Sequence, residues 1–373
     1  MGRTTLLSIL LILLFCSLVQ SQSYTSHSKI QLPGDSLTLS VTDFGATGDG
    51  INYDSSAIQS TIDACNRHCA SSSSICRVVF PSGTYLTAKL HLRSGVVLDV
   101  TEDAVLLGGP RIEDYYPAET SSDWYVVVAN NATDVGISGG GAIDGQGSKF
   151  VVRFDEKKNV MVSWNQTGAC LGDECRPRLV GFVDSRNVEI WNITLREPAY
   201  WCTTPCSLHI VRCENTSVHD VSILGDFNTP NNDGIDIEDS NNTVITRCHI
   251  DTGDDAICPK TYTGPLYNLT ATDCWIRTKS SAIKLGSASC GTAMQLAWPH
   301  QAIETEQSFH HRQLQPPPPP PPQQWPFDGL NQPVWGREED QTHGNDHSNL
   351  MAVSENVMVG SANLHPNQVK MEL

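Results

Sequence analysis

Two acidic clusters in the middle of the chain could perform acid–base chemistry. Asp233 lies in the first, and the adjacent Asp254 and Asp255 form the second. Inverting hydrolysis of a glycosidic bond needs a protonated acid for the leaving oxygen and a carboxylate for the attacking water, ~6.5–9.5 Å apart. Repulsion between Asp254 and Asp255 would raise the pKa of one of them and keep a proton available near neutral pH. The three aspartates therefore predict a hydrolytic acid site.

A repeat surrounds these clusters and predicts how they are positioned. Asn187, Asn215, Asn242 and Asn268 open four similar runs at steps of 28, 27 and 26 residues, and the third, sixth and eighth residues after each asparagine are mostly apolar. A strand-rich repeat of this length without helices is typical of a solenoid with stacked parallel strands. The asparagines predict a ladder in which each side chain satisfies backbone groups of the next coil. A Greek-key sandwich has regular strands too, but it does not require the same residue at the same phase of four repeats.

In an all-β parallel β-helix, Asp233 and Asp254 would lie on one face, because their separation of 21 residues is roughly one coil. Stacked coils would bring them within about two strand spacings of ~4.8 Å. Asp and Asn also favour turns for structural reasons alone, but the shared phase favours a site. Neither calcium-loop pattern fits: an EF-hand would need acids at Thr229 and Ser240, and the repeat-type loop fails at Ala142. We expect no metal and no cofactor.

The chain divides into three predicted parts. Residues 1–22 have the apolar run and the small polar end of a signal peptide. The apolar run is too short to span a bilayer. Residues 23–290 form the β-helix domain, which includes one early helix that Asp54 or Ser55 could cap and whose apolar stripe is Ala57, Ile58, Ile62 and Ala64, with Cys65 near its end. Residues 291–373 form a disordered low-complexity tail around the proline run 316–322.

The composition narrows the partners and the compartment. The net charge of −17 argues against binding of nucleic acid, which requires clustered Lys and Arg.

The expected mature chain keeps 12 of the 13 cysteines, an even set that predicts disulfides without fixing their pairing, although some could be buried as small apolar residues. Six glycosylation sequons favour a glycoprotein, at Asn131, Asn165, Asn192, Asn215, Asn241 and Asn268. We expect a secreted monomer of the extracellular space or cell wall, without a membrane span.

Together, several motifs resemble glycoside hydrolase family 28, the plant polygalacturonase-like proteins of the pectin lyase-like superfamily. They are Phe44 to Gly50, Ala57 to Gln59, Ala64-Cys65, Gly141 to Gly147, Asn231 to Asp233, and Gly253 to Asp255. The resemblance implies a right-handed β-helix that hydrolyses α-1,4-galacturonan, a pectic polysaccharide, with inversion. It implies Asp254 as general acid, Asp233 and Asp255 as activators of water, and Asn231 as a sugar-positioning residue.

The chain departs from the family pattern at three places. Asn232 replaces a threonine, Ser281 stands where the family has the histidine of Gly-His-Gly, and the Arg-Ile-Lys clamp has no counterpart, so the β-helix is expected to be incomplete. Arg277, Lys279 and Lys284 could partly substitute for the clamp. The leading hypothesis is a polygalacturonase-like hydrolase. The alternatives are a non-catalytic pectin-binding wall protein and a truncated or alternatively spliced product; a lyase is disfavoured because its calcium ligands and basic catalyst are not found.

Overall fold

A computed structural model describes residues 30, 36–72, 74–115, 124–155, 160–163, 166–167, 170–171, 176–198, 207–229, 231–286, 294–297 and 303–305. The predicted signal peptide at 1–22 and the proline run at 316–322 lie outside these residues. Within the described part of the chain, no helix combines the length and apolar character needed to cross a membrane.

Strands make up most of the described structure. In chain order they are β1 Thr38–Ser40, β2 Asp49–Tyr53, β3 Cys76–Phe80, β4 Gly83–Thr87, β5 Leu90–Leu92, β6 Val96–Val100, β7 Ala104–Gly108, β8 Tyr125–Asn130, β9 Thr133–Ser138, β10 Ala142–Asp144, β11 Val151–Asp155, β12 Val160–Ser163, β13 Gln166–Thr167, β14 Cys170–Leu171, β15 Arg178–Val183, β16 Arg186–Arg196, β17 Leu208–Val211, β18 Glu214–Leu224, β19 Ile235–Glu238, β20 Asn241–Thr246, β21 His249–Thr252, β22 Ile257–Lys260, β23 Leu266–Thr272, β24 Cys274–Thr278, β25 Met294–Ala297 and β26 Ile303–Thr305. The helices are α1 Ser55–Ser72 and three short 3₁₀ helices, Val41–Phe44, Ile112–Tyr115 and Gly147–Phe150.

Apart from the antiparallel pairs β11–β12 and β13–β14, the strands stack into a right-handed parallel β-helix, which confirms the predicted fold class. The short sheet has the order β5-β8-β15-β17-β19-β22, and its strands all pair in parallel. The long sheet covers the other two sides of each coil. It is continuous because β16 pairs with β9 through residues 186–190 and with β10 through residues 194–196, on either side of a bend at Asn192.

The core lies where the repeat predicted it. The third, sixth and eighth positions of all four repeats are buried, which confirms the predicted inward face: Ile190, Ile193, Leu195, Val218, Val221, Ile223, Ile245, Cys248, Ile250, Ala271, Cys274 and Ile276. Parallel register aligns equivalent positions, with Ile190 opposite Val218 and Val218 opposite Ile245. Every coil therefore adds one layer to a continuous apolar column.

The four repeat asparagines form a ladder, but its hydrogen bonds differ from the predicted ones. Three of the side-chain amides donate to the asparagine side chain of the previous coil: Asn215 to Asn187 at 3.2 Å, Asn242 to Asn215 at 3.2 Å and Asn268 to Asn242 at 3.0 Å. The prediction that these side chains satisfy backbone groups was wrong. All four residues have positive φ, between 52° and 60°, a conformation that asparagine tolerates better than most residues.

Replacing Asn242 by alanine should therefore lower stability by about 1–3 kcal/mol, because it removes two ladder bonds and places a Cβ residue without a compensating side chain in the left-handed region. Urea unfolding measures the loss. Asn242→Gly is the matched control, since glycine relieves the backbone strain and still lacks the ladder bonds. If both variants unfold at the wild-type urea concentration, the ladder contributes nothing.

Helix α1 covers the beginning of the β-helix column and extends further than the sequence indicated. Its buried side includes Ile58 and Ile62, as predicted, but Cys65 lies in the middle of the helix, which continues to Ser72. A disulfide joins Cys65 to Cys76 of β3 and so fixes the helix to the first coils. This anchoring closes one end of the apolar core.

The cysteines follow both predicted alternatives. Among the cysteines whose side chains the structure describes, one pair is bonded, whereas Cys69, Cys213, Cys248, Cys258 and Cys274 are free thiols and buried. Cys175, Cys202, Cys206, Cys290 and the side chain of Cys170 lie outside the described residues.

Two short strands lie beyond residue 290, the predicted end of the β-helix domain. Met294–Ala297 pairs in parallel with β23, and Ile303–Thr305 pairs with β24. The backbone pairing of the long sheet thus extends past residue 290. The three domain boundaries themselves stay predictions.

Candidate active site

The register of the short sheet places two of the predicted aspartates side by side. Ile235 of β19 is opposite Ile257 of β22, and the Gly234 amide donates to the Asp255 carbonyl at 3.0 Å. The local coil is therefore 22 residues long, one more than the separation of Asp233 and Asp254. As a result Asp255, two residues before β22, is the residue opposite Asp233.

Asp233 is almost completely enclosed, with 1% of its surface exposed. Ligand atoms of Asp233, Asp255 and Cys258 lie within 4.8 Å of one another. The Cys258 thiol donates to Asp233 Oδ2 at 3.5 Å. Burial raises the pKa of Asp233 well above its ordinary value, and the charges of Asp236 and Asp254 add to the rise. Asp233 is thus a carboxyl group that retains its proton to higher pH than a surface aspartate.

Asp255 is held by three donors from a single segment. Lys284 Nζ donates to Oδ2 at 2.5 Å, and Oδ1 accepts from Ser280 Oγ at 2.6 Å and from the Ser281 amide at 3.1 Å. Burial alone would lower the pKa of Lys284, but its bond to Asp255 raises it, so the ammonium stays charged. The residue at the family's histidine position, Ser281, therefore contacts the acid cluster through its backbone.

Asp254 is only partly buried and is the most accessible of the three aspartates. Burial raises its pKa, and the neighbouring Asp255 carboxylate raises it further. Its side chain accepts from the Asp255 amide at 2.9 Å and from Asn231 Nδ2 at 3.4 Å. Asn231 has a φ of 57°, and this left-handed turn directs the chain into the first acidic cluster.

Asn232 connects the two acidic clusters. Its amide nitrogen donates to the Asp226 carbonyl at 2.6 Å, and its oxygen accepts from the Gly253 amide at 2.7 Å. The Gly253 position has little free space, since an added Cβ would lie 2.6 Å from the Phe227 carbonyl oxygen. The substitution of asparagine for threonine thus supplies a clamp between coils.

A buried ion pair lies beside the cluster and was not predicted. Lys260 Nζ donates to Asp236 Oδ2 at 2.7 Å, and both side chains are at most 3% exposed. Burial opposes the charge of Lys260, yet the Asp236 carboxylate raises the pKa of Lys260 above its ordinary value. The sequence alone did not indicate this pair, because Asp236 and Lys260 meet through the register of adjacent strands, where they lie two positions apart on the same side.

The three cations suggested as a substitute clamp have different surroundings. Lys284 belongs to the site through Asp255. Arg277 pairs with Asp251 and lies over the Phe227 ring, 5.1 Å from its centroid. Lys279 donates to Asn228 Oδ1 at 2.6 Å and lies over the same ring. Arg277 and Lys279 therefore form a basic rim around Phe227.

Comparison with known families agrees with this architecture. The model of glycosyl hydrolases family 28 matches residues 70–287, which include every site residue described above. The chain belongs to this family. The structure of a hyperthermoactive exopolygalacturonase from Thermotoga maritima is similar, with a TM-score of 0.58, 23% identity, and coverage of 72% of this chain and 66% of that one.

The sequence relatives come from two different kinds of protein. A probable polygalacturonase of Vitis vinifera is 29% identical over 236 residues, which cover 60% of this chain but only 44% of the relative. The transcription factor bHLH60 of Arabidopsis thaliana is 89% identical over 80 residues, or 21% of this chain and 18% of that protein. The chain thus spans less than half of either relative.

Proposed function

We propose that this family 28 chain is a polygalacturonase-like enzyme that hydrolyses α-1,4-linked galacturonan. The observation that carries the proposal is the convergence of Asp233, Asp254 and Asp255 at the entry to β19 and β22, with a raised pKa for Asp254. Acid-catalysed glycoside cleavage requires a carboxyl group that is still protonated at the working pH. The polygalacturonase relatives favour a pectic substrate.

The roles follow from accessibility and separation. Asp254 is the general acid, because it is the most accessible of the three carboxyl groups and burial raises its pKa above that of a surface aspartate. Asp233 and Asp255 are too close for an inverting acid and base, which stand ~6.5–9.5 Å apart, because their nearest oxygens lie within 4.8 Å. They act together on one water molecule. Asn231, which contacts Asp254, positions the sugar.

The proposed setting is the cell wall. A secreted glycoprotein with a cleaved signal peptide would meet pectin there, and an acidic cell wall would favour the protonated form of Asp254. Secretion is tested by expressing the full chain in plant cells and determining whether the extracellular protein begins near residue 23 and shifts in mass after glycosidase treatment.

Hydrolysis is tested by the release of reducing ends from polygalacturonate by the purified full chain, with neutral galactan as the control polysaccharide. We expect release from polygalacturonate alone. Proton NMR of the first product shows whether its anomeric configuration is inverted or retained. Inversion supports Asp254 as the general acid. Retention would assign Asp233 and Asp255 to acid and nucleophile, since retaining pairs stand about 5–5.5 Å apart.

A second candidate function is non-catalytic pectin binding by the same surface. It is favoured by Ser281, which provides a backbone amide to Asp255 where the family has a histidine. Binding of polygalacturonate without release of reducing ends above a buffer blank would support this candidate and contradict the enzyme.

We also infer that the segment similar to the transcription factor lies after residue 287. The similar stretch has 80 residues, whereas 69 residues precede the family match and 86 follow it. Only the second interval can contain the stretch without overlapping the hydrolase region. Sequencing the transcript across codons 287–300 tests whether both parts belong to one message, and separate messages would show that the joined chain is not expressed.

A further inference from the structure

We propose that Asp233, Asp255 and Cys258 form a binding site for a thiophilic divalent cation of the zinc class. Occupancy of this site would switch off the hydrolysis proposed above. This inhibitory consequence depends on the proposed function, whereas the binding site itself does not.

The geometry of the three side chains fits one metal ion. They come from two adjacent coils, and their ligand atoms lie within 4.8 Å of one another. In a tetrahedral zinc site with bonds of ~2.3 Å to sulfur and ~2.1 Å to oxygen, neighbouring sulfur and oxygen ligands are roughly 3.6 Å apart. The 3.5 Å separation of Cys258 Sγ and Asp233 Oδ2 matches this edge.

An independent feature of the site also indicates a missing partner. Asp233 is 99% buried, because only 1% of its surface is exposed. Its Oδ1 atom has no hydrogen-bond partner among the described residues. A buried carboxylate oxygen normally has a donor or a cation, since leaving it unsatisfied costs free energy. A cation beside Cys258 that binds both carboxylate oxygens of Asp233 would satisfy Oδ1 as well as Oδ2.

The local charge balance favours a divalent ion. Asp233, Asp236, Asp254 and Asp255 face two ammonium groups, Lys260 and Lys284. When every carboxyl and the Cys258 thiol are ionised, three negative charges remain uncompensated, and one divalent cation neutralises two of them.

The donor set selects the class of metal. Calcium and magnesium prefer oxygen ligands only, whereas a thiolate favours zinc and similar metals. Coordination requires the Cys258 thiol and a protonated Asp233 to release their protons to solvent, so that sulfur and oxygen lone pairs form the metal bonds. The sequence predicted no metal because these ligands match no sequential motif and meet only through the coil register.

A bound cation would occupy the two carboxylates that are proposed to activate water. Zinc should therefore inhibit hydrolysis reversibly, and a chelator should restore it. This behaviour would connect the enzyme's activity to the availability of free zinc around the protein.

The test is titration of the reduced, metal-free full chain with Co²⁺, which reports thiolate ligation through a sulfur-to-cobalt charge-transfer band. We expect a band that saturates at one equivalent and disappears when Zn²⁺ is added. Cys258→Ala and Cys258→Ser should both lose it. Cys213→Ala is the matched control, because Cys213 is equally buried but donates to the Phe182 carbonyl, and this variant should retain the band.

The outcomes separate the two proposals. A wild-type chain without the band, or a band that persists in either folded Cys258 variant, overturns the cation site. If circular dichroism shows that Cys258→Ala does not fold, the result with Cys258→Ser decides whether the cation site exists. Hydrolysis that zinc leaves unchanged overturns only the inhibitory role, and a saturating band in a chain without hydrolysis supports the site while the proposed function fails.

Discussion

Asp233→Asn should lower the hydrolysis of polygalacturonate by about 10²–10⁴-fold, the range in which a positioned acid–base group contributes. The same variant should be more stable than the wild type at neutral pH. The activity loss follows because the amide can no longer help activate water beside Asp255. The stability gain follows because the buried Asp233 carboxyl has a pKa raised well above its ordinary value.

The sign of the stability effect comes from proton binding. In the unfolded chain an aspartate releases its proton near pH ~3.9, whereas folded Asp233 retains it to higher pH. Folded protein therefore binds more protons than unfolded protein above that pH, and the contribution of Asp233 to stability falls as pH rises. Asparagine has no such dependence. Thermal unfolding from pH 3 to pH 8 should show a difference between variant and wild type that grows with pH.

Asp184→Asn is the control, and its expected effect on stability is opposite to that of Asp233→Asn. Its carboxylate, half exposed, bonds Arg212, and this bond lowers the pKa of Asp184. Replacing it should leave hydrolysis unchanged and reduce stability by up to about 1 kcal/mol above pH ~4, where the wild-type carboxylate is ionised. Equal pH dependence of the Asp233 variant and the wild type would show that Asp233 is not a high-pKa group.

Lys260→Met should destabilise the protein by about 3–5 kcal/mol at neutral pH, because it leaves Asp236 buried without its counter-ion. The deficit should shrink at acidic pH, since a protonated Asp236 carries no charge. Adding Asp236→Leu to this variant should recover most of the loss, because removing both members of a buried pair is much less costly than removing one. Guanidinium unfolding of both single variants and the double variant gives the coupling energy.

Lys279→Met provides the comparison for loss of a lysine. Lys279 is exposed and donates to Asn228, so its replacement should change stability by no more than about 1 kcal/mol. Equal losses for Lys260→Met and Lys279→Met would mean that the buried pair has no special contribution.

The sequence determined the parts of this fold that depend on local periodicity. The repeat of asparagines predicted both the stacked coils and the apolar positions, and Ile190, Val218 and Ile245 indeed follow one another in the core. This succeeded because inward-facing residues of a parallel coil must recur at the same phase to bury one continuous column. The acidic clusters could be related to each other for the same reason, because they also recur after roughly one coil.

The tertiary structure decided which side chains meet. The coil that passes Asn187 has 28 residues, whereas the coil from Ile235 to Ile257 has 22. Coil length varies because turns outside the strands change without disturbing the core. A shift of one residue moved Asp255, rather than Asp254, opposite Asp233, and no repeat period could have specified that.

The three aspartates could thus be named as candidates from their types and spacing, but their surroundings could not be predicted. Cys258, Lys260 and Lys284 come from other positions along the coils, and each contacts an aspartate 24 to 29 residues earlier in the chain. Hydrogen bonds and ion pairs require separations of about 3 Å, so they depend on exact register and side-chain direction. Sequence composition specified the carboxylates, and only the folded coils placed the donors and the thiol that hold them.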